Sequence, residues 1–474
     1  MNSASVLDYF KEITAIPRES GHEEPMTAYL QSFAASHNLA CKTDEVGNVL
    51  ISKPASKGKE NVPTLVLQSH QDMVCEKLAG FLFDFSKEPI KYEIEDGWMI
   101  AKNTTLGADD GIGIAASLAI LESKLPMGRI ECLFTISEET GMDGAFALKE
   151  GFFEGKTLIN LDSEDEGQLF IGCAGGVDTT AYFKYETDVL KSGYKGLKLV
   201  IDGAQGGHSG DDINKGRANT VQIMAKFLAS ELEYGLQLVY IKGGNKRNAI
   251  ARDCEATISV PDPQASIERF ESFAKGQKDI YAVSDPGIKF SVSRSFVNEK
   301  VVEPAVAGAL IKALSECPHG MLAMSKDIPD LVETSSNLAA VQMSEKGSIK
   351  VLTSQRSSIK EECTAAAAKV EAVFVKAGAE VTHTSQYPGW KPNIDSHILK
   401  VCVESYKRLF NKEPLVLAIH AGLECGLFLE KFPELDMISF GPTLRGVHAP
   451  GEKLELASLD KFVDLLVDVV CNFK

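Results

Sequence analysis

Between Leu106 and Ser123 the chain carries a segment that cannot lie on a protein surface. It opens on Gly107-Ala-Asp-Asp-Gly111 and runs on through Ile112, Ile114, Leu118, Ile120 and Leu121 with Ala and Gly between them. A helix that is apolar nearly all round has to be buried on every side. Its surroundings tell what buries it. Up to about residue 170, helix patterns alternate with short apolar strands, the rhythm of an α/β domain. The spacing predicts strands over Thr64–Ser69, Ile130–Ile136 and Thr157–Leu161. Two more fall at Leu415–His420 and Asp436–Phe440, and a closing helix runs from about Ala457. Near the start, Val6, Leu7, Phe10 and Ile13 share one side of a helix that Pro17 ends.

Residues 177–386 have a different texture. Leu197–Ile201 and Ala256–Val260 are strand-like, and helix patterns cover Thr220–Glu233 and Thr364–Ala377. They read as an inserted α+β domain. The expected architecture is therefore α/β: one discontinuous domain, 1–176 with 387–474, built on a central mixed sheet flanked by helices and interrupted by 177–386. No Pro- or Ser-rich linker marks the edges.

Composition excludes several function classes. The net charge of −17 argues against nucleic acid, which demands clustered Lys and Arg. No stretch approaches the ~20 apolar residues of a membrane span. The N-terminus lacks the basic region and unbroken apolar core of a secretory signal. The ten cysteines are scattered without a C-x-x-C pair, as expected of reduced core thiols in a cytoplasmic protein.

The residues with chemical potential fall where the expected strands end. His70-Gln-Asp72 follows the first, Glu138-Glu139 the second and Asp162 the third. His448 lies on the loop after Phe440, and Asp109-Asp110 heads the buried helix. Open α/β sheets bind ligands beyond the carboxyl ends of their strands, so one rule gathers five segments. Singly, each has an ordinary explanation: a surface His, a solvated Glu pair, an Asp pair capping a helix. Together, several carboxylates converging with two imidazoles call for a cation, and the mixture suits zinc.

The segments His70-Gln-Asp72, Gly107–Gly111, Ser137–Gly141, Asn160-Leu-Asp162, Gly206-Gly-His-Ser-Gly210 and Gly441–His448 resemble the co-catalytic di-zinc peptidase family of dipeptidases, tripeptidases, carboxypeptidases and aminoacylases. Met142-Asp-Gly144, Gly172–Gly176, Tyr387–Trp390 and His420–Gly426 bring it nearest to the bacterial aminoacyl-histidine (Xaa-His) dipeptidases within that family. The resemblance implies two zinc ions per chain, with cobalt or manganese as substitutes. Asp109 would bridge both ions, His70 and Asp162 would complete one, and Glu139 and His448 the other. Glu138 would be the general base acting on a water between the ions, and Asp72 would orient His70. In the inserted domain, which the resemblance makes a lid and dimerisation domain, His208 would stabilise the oxyanion. Asn248 would contact the substrate and Arg356 would clamp its C-terminal carboxylate. Glu424 could accept the free α-amino group. The implied activity is hydrolysis of dipeptides with free termini, Xaa-His among them, by a homodimer. Other hydrolases of the family (aminoacylase, deacylase, carboxypeptidase) share the centre and stay open, as does a non-catalytic scaffold.

Overall fold

The computed structural model describes residues 1–210, 212–297, 300–326, 328–344 and 347–474. The chain separates into two compact units, Met1–Cys173 with Trp390–Ala418 and Leu423–Lys474, and Ala174–Gly389 with Ile419–Gly422.

The first unit is built on an eight-stranded mixed sheet. Its order is Ala40–Thr43, Val49–Lys53, Ile130–Thr135, Leu65–His70, Thr157–Asn160, Asp436–Ser439, Gln168–Cys173 and Leu415–Ile419. The four strands from Ile130–Thr135 to Asp436–Ser439 run parallel, with Gln68 opposite Asn160 and Asn160 opposite Ser439. Parallel strands need cover on both faces, which is why Leu65–His70, Ile130–Thr135 and Thr157–Asn160 are buried throughout. Because the four point the same way, their carboxyl ends share one edge. The expected mixed α/β architecture is what the chain adopts.

The helix Ala108–Glu122 packs on this sheet and against the N-terminal helix Ser3–Ile13, and every residue from Ala108 to Leu121 is buried. It differs from expectation at its head. Gly107 has φ +69°, and Asp109 and Asp110 have non-helical backbone angles across a cis peptide bond. The regular helix starts after Asp110, whose Oδ1 accepts from the Gly113 N–H at 3.1 Å. The capping role belongs to Asp110 alone, and Asp109 is left free to face elsewhere.

A small four-stranded sheet joins Leu444–Arg445, Lys453–Glu455, Trp98–Ala101 and Tyr92–Glu95. His448 sits in its connecting loop with φ +61°, a left-handed conformation uncommon for a non-glycine residue.

In the second unit, an antiparallel sheet carries Lys195–Asp202, Gln237–Gly243, Cys254–Val260, Val332–Ser344 and Ser348–Ser357 among its strands. The helices Thr220–Glu231, Pro263–Ile280, Pro304–Glu316 and Lys360–Lys376 share its apolar core. The segment Ile419–Gly422 joins this unit because the Ala174 N–H donates to the carbonyls of Ile419 and Ala421. Among the described residues no helix is long and apolar enough to cross a membrane.

Candidate active site

His70 is the last residue of its strand, and Asp72, Glu138, Glu139 and Asp162 lie within four residues of the ends of the parallel strands. The parallel run therefore brings them to one edge, and the loop after Asp436–Ser439 adds His448. Asp109 faces both imidazoles. Its Oδ1 lies 3.0 Å from His70 Nε2, and its Oδ2 lies 3.1 Å from His448 Nε2. His70 Nε2 is also 3.5 Å from Asp162, and His448 Nε2 is 2.9 Å from Glu139. Asp109 thus links the His70–Asp162 pair to the Glu139–His448 pair, and His70, Asp109 and Glu139 also lie within reach of one another.

Asp110 also comes within reach of His70 and Asp162. Both of its oxygens are engaged by backbone N–H groups, from His70 at 3.3 Å and Gly113 at 3.1 Å. Asp72 is tied in four ways. It lies 3.3 Å from His70 Nδ1 at an angle short of a straight hydrogen bond, and it accepts from the N–H groups of Glu138 and Glu139 and from Ser20 Oγ. Burial would raise its pKa, but His70 and these donors outweigh that and hold it at about 2.

Charge crowding defines the rest of the electrostatics. Burial disfavours a charged His70, yet Asp162, Asp109 and Asp72 together raise its pKa well above the ordinary value. Hydrogen bonds to Asp109 and Glu139 lift His448 to about 11. Burial and neighbouring negative charge push Glu138 and Asp162 well up. Oε1 of Glu139 is buried without a partner. Two imidazoles, three carboxylates and an unsatisfied carboxylate oxygen match the donors that divalent zinc, cobalt or manganese take.

Glu424, expected to accept the substrate amine, is enclosed in the core with its Oε1 unpartnered. It is 0 % exposed, and its Oε2 accepts from Gln68 at 2.6 Å and Thr135 at 2.7 Å. Gln68 continues to Asn160, and Asn160 to Ser439, so a buried polar chain crosses the parallel strands beneath the candidate ligands. Burial raises the Glu424 pKa to about 7. Glu452 is a supporting residue that sequence reasoning missed. Its carboxylate accepts from the N–H groups of Leu106, Gly107 and Ala108 at 2.8–3.0 Å, and so fixes the loop that presents Asp109. Its place four residues after His448 is the only signal in the sequence, and it is a weak one.

His208, Asn248 and Arg356 belong to the second unit. The His208 N–H donates to Asp212 at 2.8 Å, and the Ser209 N–H donates to the Asn248 carbonyl at 2.9 Å, so the two loops are laced together. Asn337 holds the second loop through the carbonyls of Arg247 and Ala249. The Asn248 residue is exposed. Arg356, on the strand Ser348–Ser357, is 8 % exposed; its Nη1 donates to Tyr387 Oη at 3.2 Å, and its Nε is buried without a partner.

The model of peptidase family M20/M25/M40 matches residues 66–472. The cytosol non-specific dipeptidase of Escherichia coli is 37% identical over 468 residues, 98% of this chain and 96% of that protein. The crystal structure of aminoacylhistidine dipeptidase from Vibrio alginolyticus superposes with a TM-score of 0.91 at 37% identity, covering 99% of this chain and 97% of that one. A tripeptidase from Staphylococcus aureus shares the fold at 18% identity and a TM-score of 0.63, covering 99% of this chain and 98% of that one.

Proposed function

The chain belongs to peptidase family M20/M25/M40 and is a peptide-bond hydrolase, and from that premise we propose that it is a di-zinc dipeptidase acting on dipeptides with free termini. The observation that carries the reading is the division of Asp109, one oxygen toward each imidazole. His70, Asp162 and Asp109 would hold one ion, and Glu139, His448 and Asp109 the other. Two such ions supply Lewis acidity and an activated water.

The chain's own residues do the rest. Glu138 takes the proton of the attacking water and returns one to the leaving amine, a transfer suited to a carboxyl group whose pKa burial and its acidic neighbours raise. Asp72 holds His70 and the peptide of Glu138 and Glu139 in register. His208 stabilises the oxyanion and Asn248 contacts the substrate. Arg356, a largely buried guanidinium with a spare donor, takes the substrate's C-terminal carboxylate. Glu424, enclosed by Gln68 and Thr135, supports the site from behind rather than binding the substrate amine. The V. alginolyticus relative is titled for aminoacyl-histidine and the E. coli one is called non-specific, so Xaa-His dipeptides belong in a broader substrate set. All ten cysteines are free thiols, which fits a cytoplasmic protein like the E. coli relative.

The test is a panel of dipeptides, including β-Ala-His, with N-acetyl and C-amide controls, run on zinc-reconstituted protein with its metal content measured. Two ions per chain and cleavage of free dipeptides are expected. Truncating one partner of a buried charge pair costs ~2–5 kcal/mol, so C-terminal amides should react at least about thirtyfold more slowly. Arg356→Ala should shrink that difference. Amides cleaved as fast as free dipeptides would remove Arg356 from its role. Preference for N-acetyl substrates would replace the dipeptidase reading with a deacylase.

A further inference from the structure

The segment from Arg18 to Glu23 precedes the residues that the family model matches, 66–472, yet it reaches three of the loops that carry the site. Arg18 is 2 % exposed, with no carboxylate hydrogen-bonded to it among the described residues. Its guanidinium donates instead to backbone carbonyls: Nη1 to Gln71 at 3.1 Å and Asp72 at 2.5 Å, and Nη2 to Gly107. It therefore ties the loop after His70 to the loop before Asp109. Ser20 Oγ donates to Asp72 Oδ2 at 2.7 Å. Glu23, 5 % exposed, accepts from both the N–H and the Oγ of Ser137 at 3.0 Å, and Ser137 leads directly into Glu138-Glu139. The backbone joins in, since the Met73 N–H donates to the Arg18 carbonyl at 3.0 Å.

The close fit is visible at Gly107. A Cβ there would stand 2.5 Å from Arg18 Nη2 and 2.7 Å from Met73 Sδ, and its φ of +69° already favours glycine. A buried guanidinium aimed at carbonyls of two loops is costly to desolvate and is not needed to fill a core. Its contacts, with those of Ser20 and Glu23, make sense as geometry. They set the loops bearing His70, Asp109 and Glu139 at fixed separations.

We infer that Arg18, Ser20 and Glu23 form a positioning brace for the metal centre, which fixes the spacing of its ligands and thereby its affinity for divalent ions. The inference rests on the two-ion reading above. None of the three touches a ligand's donor atoms; they act through the backbone of the loops and through Asp72.

The experiment is zinc titration of metal-free protein against a chromophoric chelator, with the absorption spectrum of the cobalt-substituted protein as a second readout. Partners that orient metal ligands typically contribute about 10–100-fold in metal affinity. The Ser20→Ala/Glu23→Ala double variant should bind zinc more weakly by about that factor and show a changed cobalt spectrum. Glu23→Gln keeps an acceptor oxygen for Ser137 and should retain most of the wild-type affinity. Arg18→Lys keeps the charge but loses the planar fork, and should fall with the double variant. If Arg18→Lys does not fold, the Ser20 and Glu23 variants decide alone. Folded variants with wild-type zinc affinity and cobalt spectrum would overturn the brace and leave the two-ion reading standing. Wild-type protein that takes up no zinc would overturn both.

Discussion

Asp109 offers one oxygen to each imidazole, and its two neighbours explain how it is free to do so. Asp110 does the helix-capping work, and Glu452 satisfies the N–H groups of the preceding loop. Glu138 stands beside this arrangement in a different electrostatic state. Burial and the charges of Glu139, Glu424 and Asp109 keep its pKa high, whereas hydrogen bonds from the imidazoles keep Asp109 low. That contrast suits one carboxyl to moving protons and the other to holding cations. Glu138→Gln should therefore lower kcat by about 10²–10⁴-fold while zinc content stays at the wild-type level, measured by metal analysis alongside the dipeptide assay. A metal-replete variant with near-normal kcat would remove Glu138 from the reaction. The sequence makes His70, Asp109, Glu139, Asp162 and His448 legible because each follows a strand or heads the buried helix. Arg18 and Glu452 are not legible. Their partners lie 53–89 and 343–346 residues away, and a single Arg or Glu in a sequence looks like any other surface charge.

The buried helix Ala108–Glu122 links the site to the sheet. Leu118 is 0 % exposed, and its replacement by Ala leaves a cavity that close-packed neighbours cannot fill. A loss of ~2–5 kcal/mol in unfolding free energy is expected for Leu118→Ala. Both tryptophans, Trp98 and Trp390, belong to the first unit, so urea unfolding followed by their fluorescence reports on that unit. A shift below 1 kcal/mol would show that the helix tolerates repacking, against its all-round burial. At this scale the apolar pattern gives the helix and five strands of the first sheet to within two residues, and passes over Ala40–Thr43, Val49–Lys53 and Gln168–Cys173, which complete it. It misses the head of the helix, where Asp109 and Asp110 have non-helical backbone angles and Arg18 and Glu452 hold the loop at Gly107 through long-range hydrogen bonds.

At the scale of the whole molecule, the α/β architecture is legible in one regularity, helix patterns alternating with short apolar strands. The division into units is less legible. Texture places the insert at 177–386, whereas the second unit runs from Ala174 to Gly389 and takes in Ile419–Gly422. That short return is specified by backbone hydrogen bonds to Ala174, which leave no compositional trace. A homodimer formed through the second unit stays a proposal. Sedimentation equilibrium should give about twice 51.3 kDa, and 51.3 kDa at assay concentrations would contradict it. The discontinuity of the first unit has its own consequence for how the protein is made. Four of the five proposed ligands are translated by Asp162, but His448 follows only after the whole second unit. At about 5–20 residues per second, that interval lasts roughly 15–60 s. A ribosome-bound chain therefore spends that time with the proposed ligand set incomplete and without the strand Asp436–Ser439, and the set closes only once His448 is made.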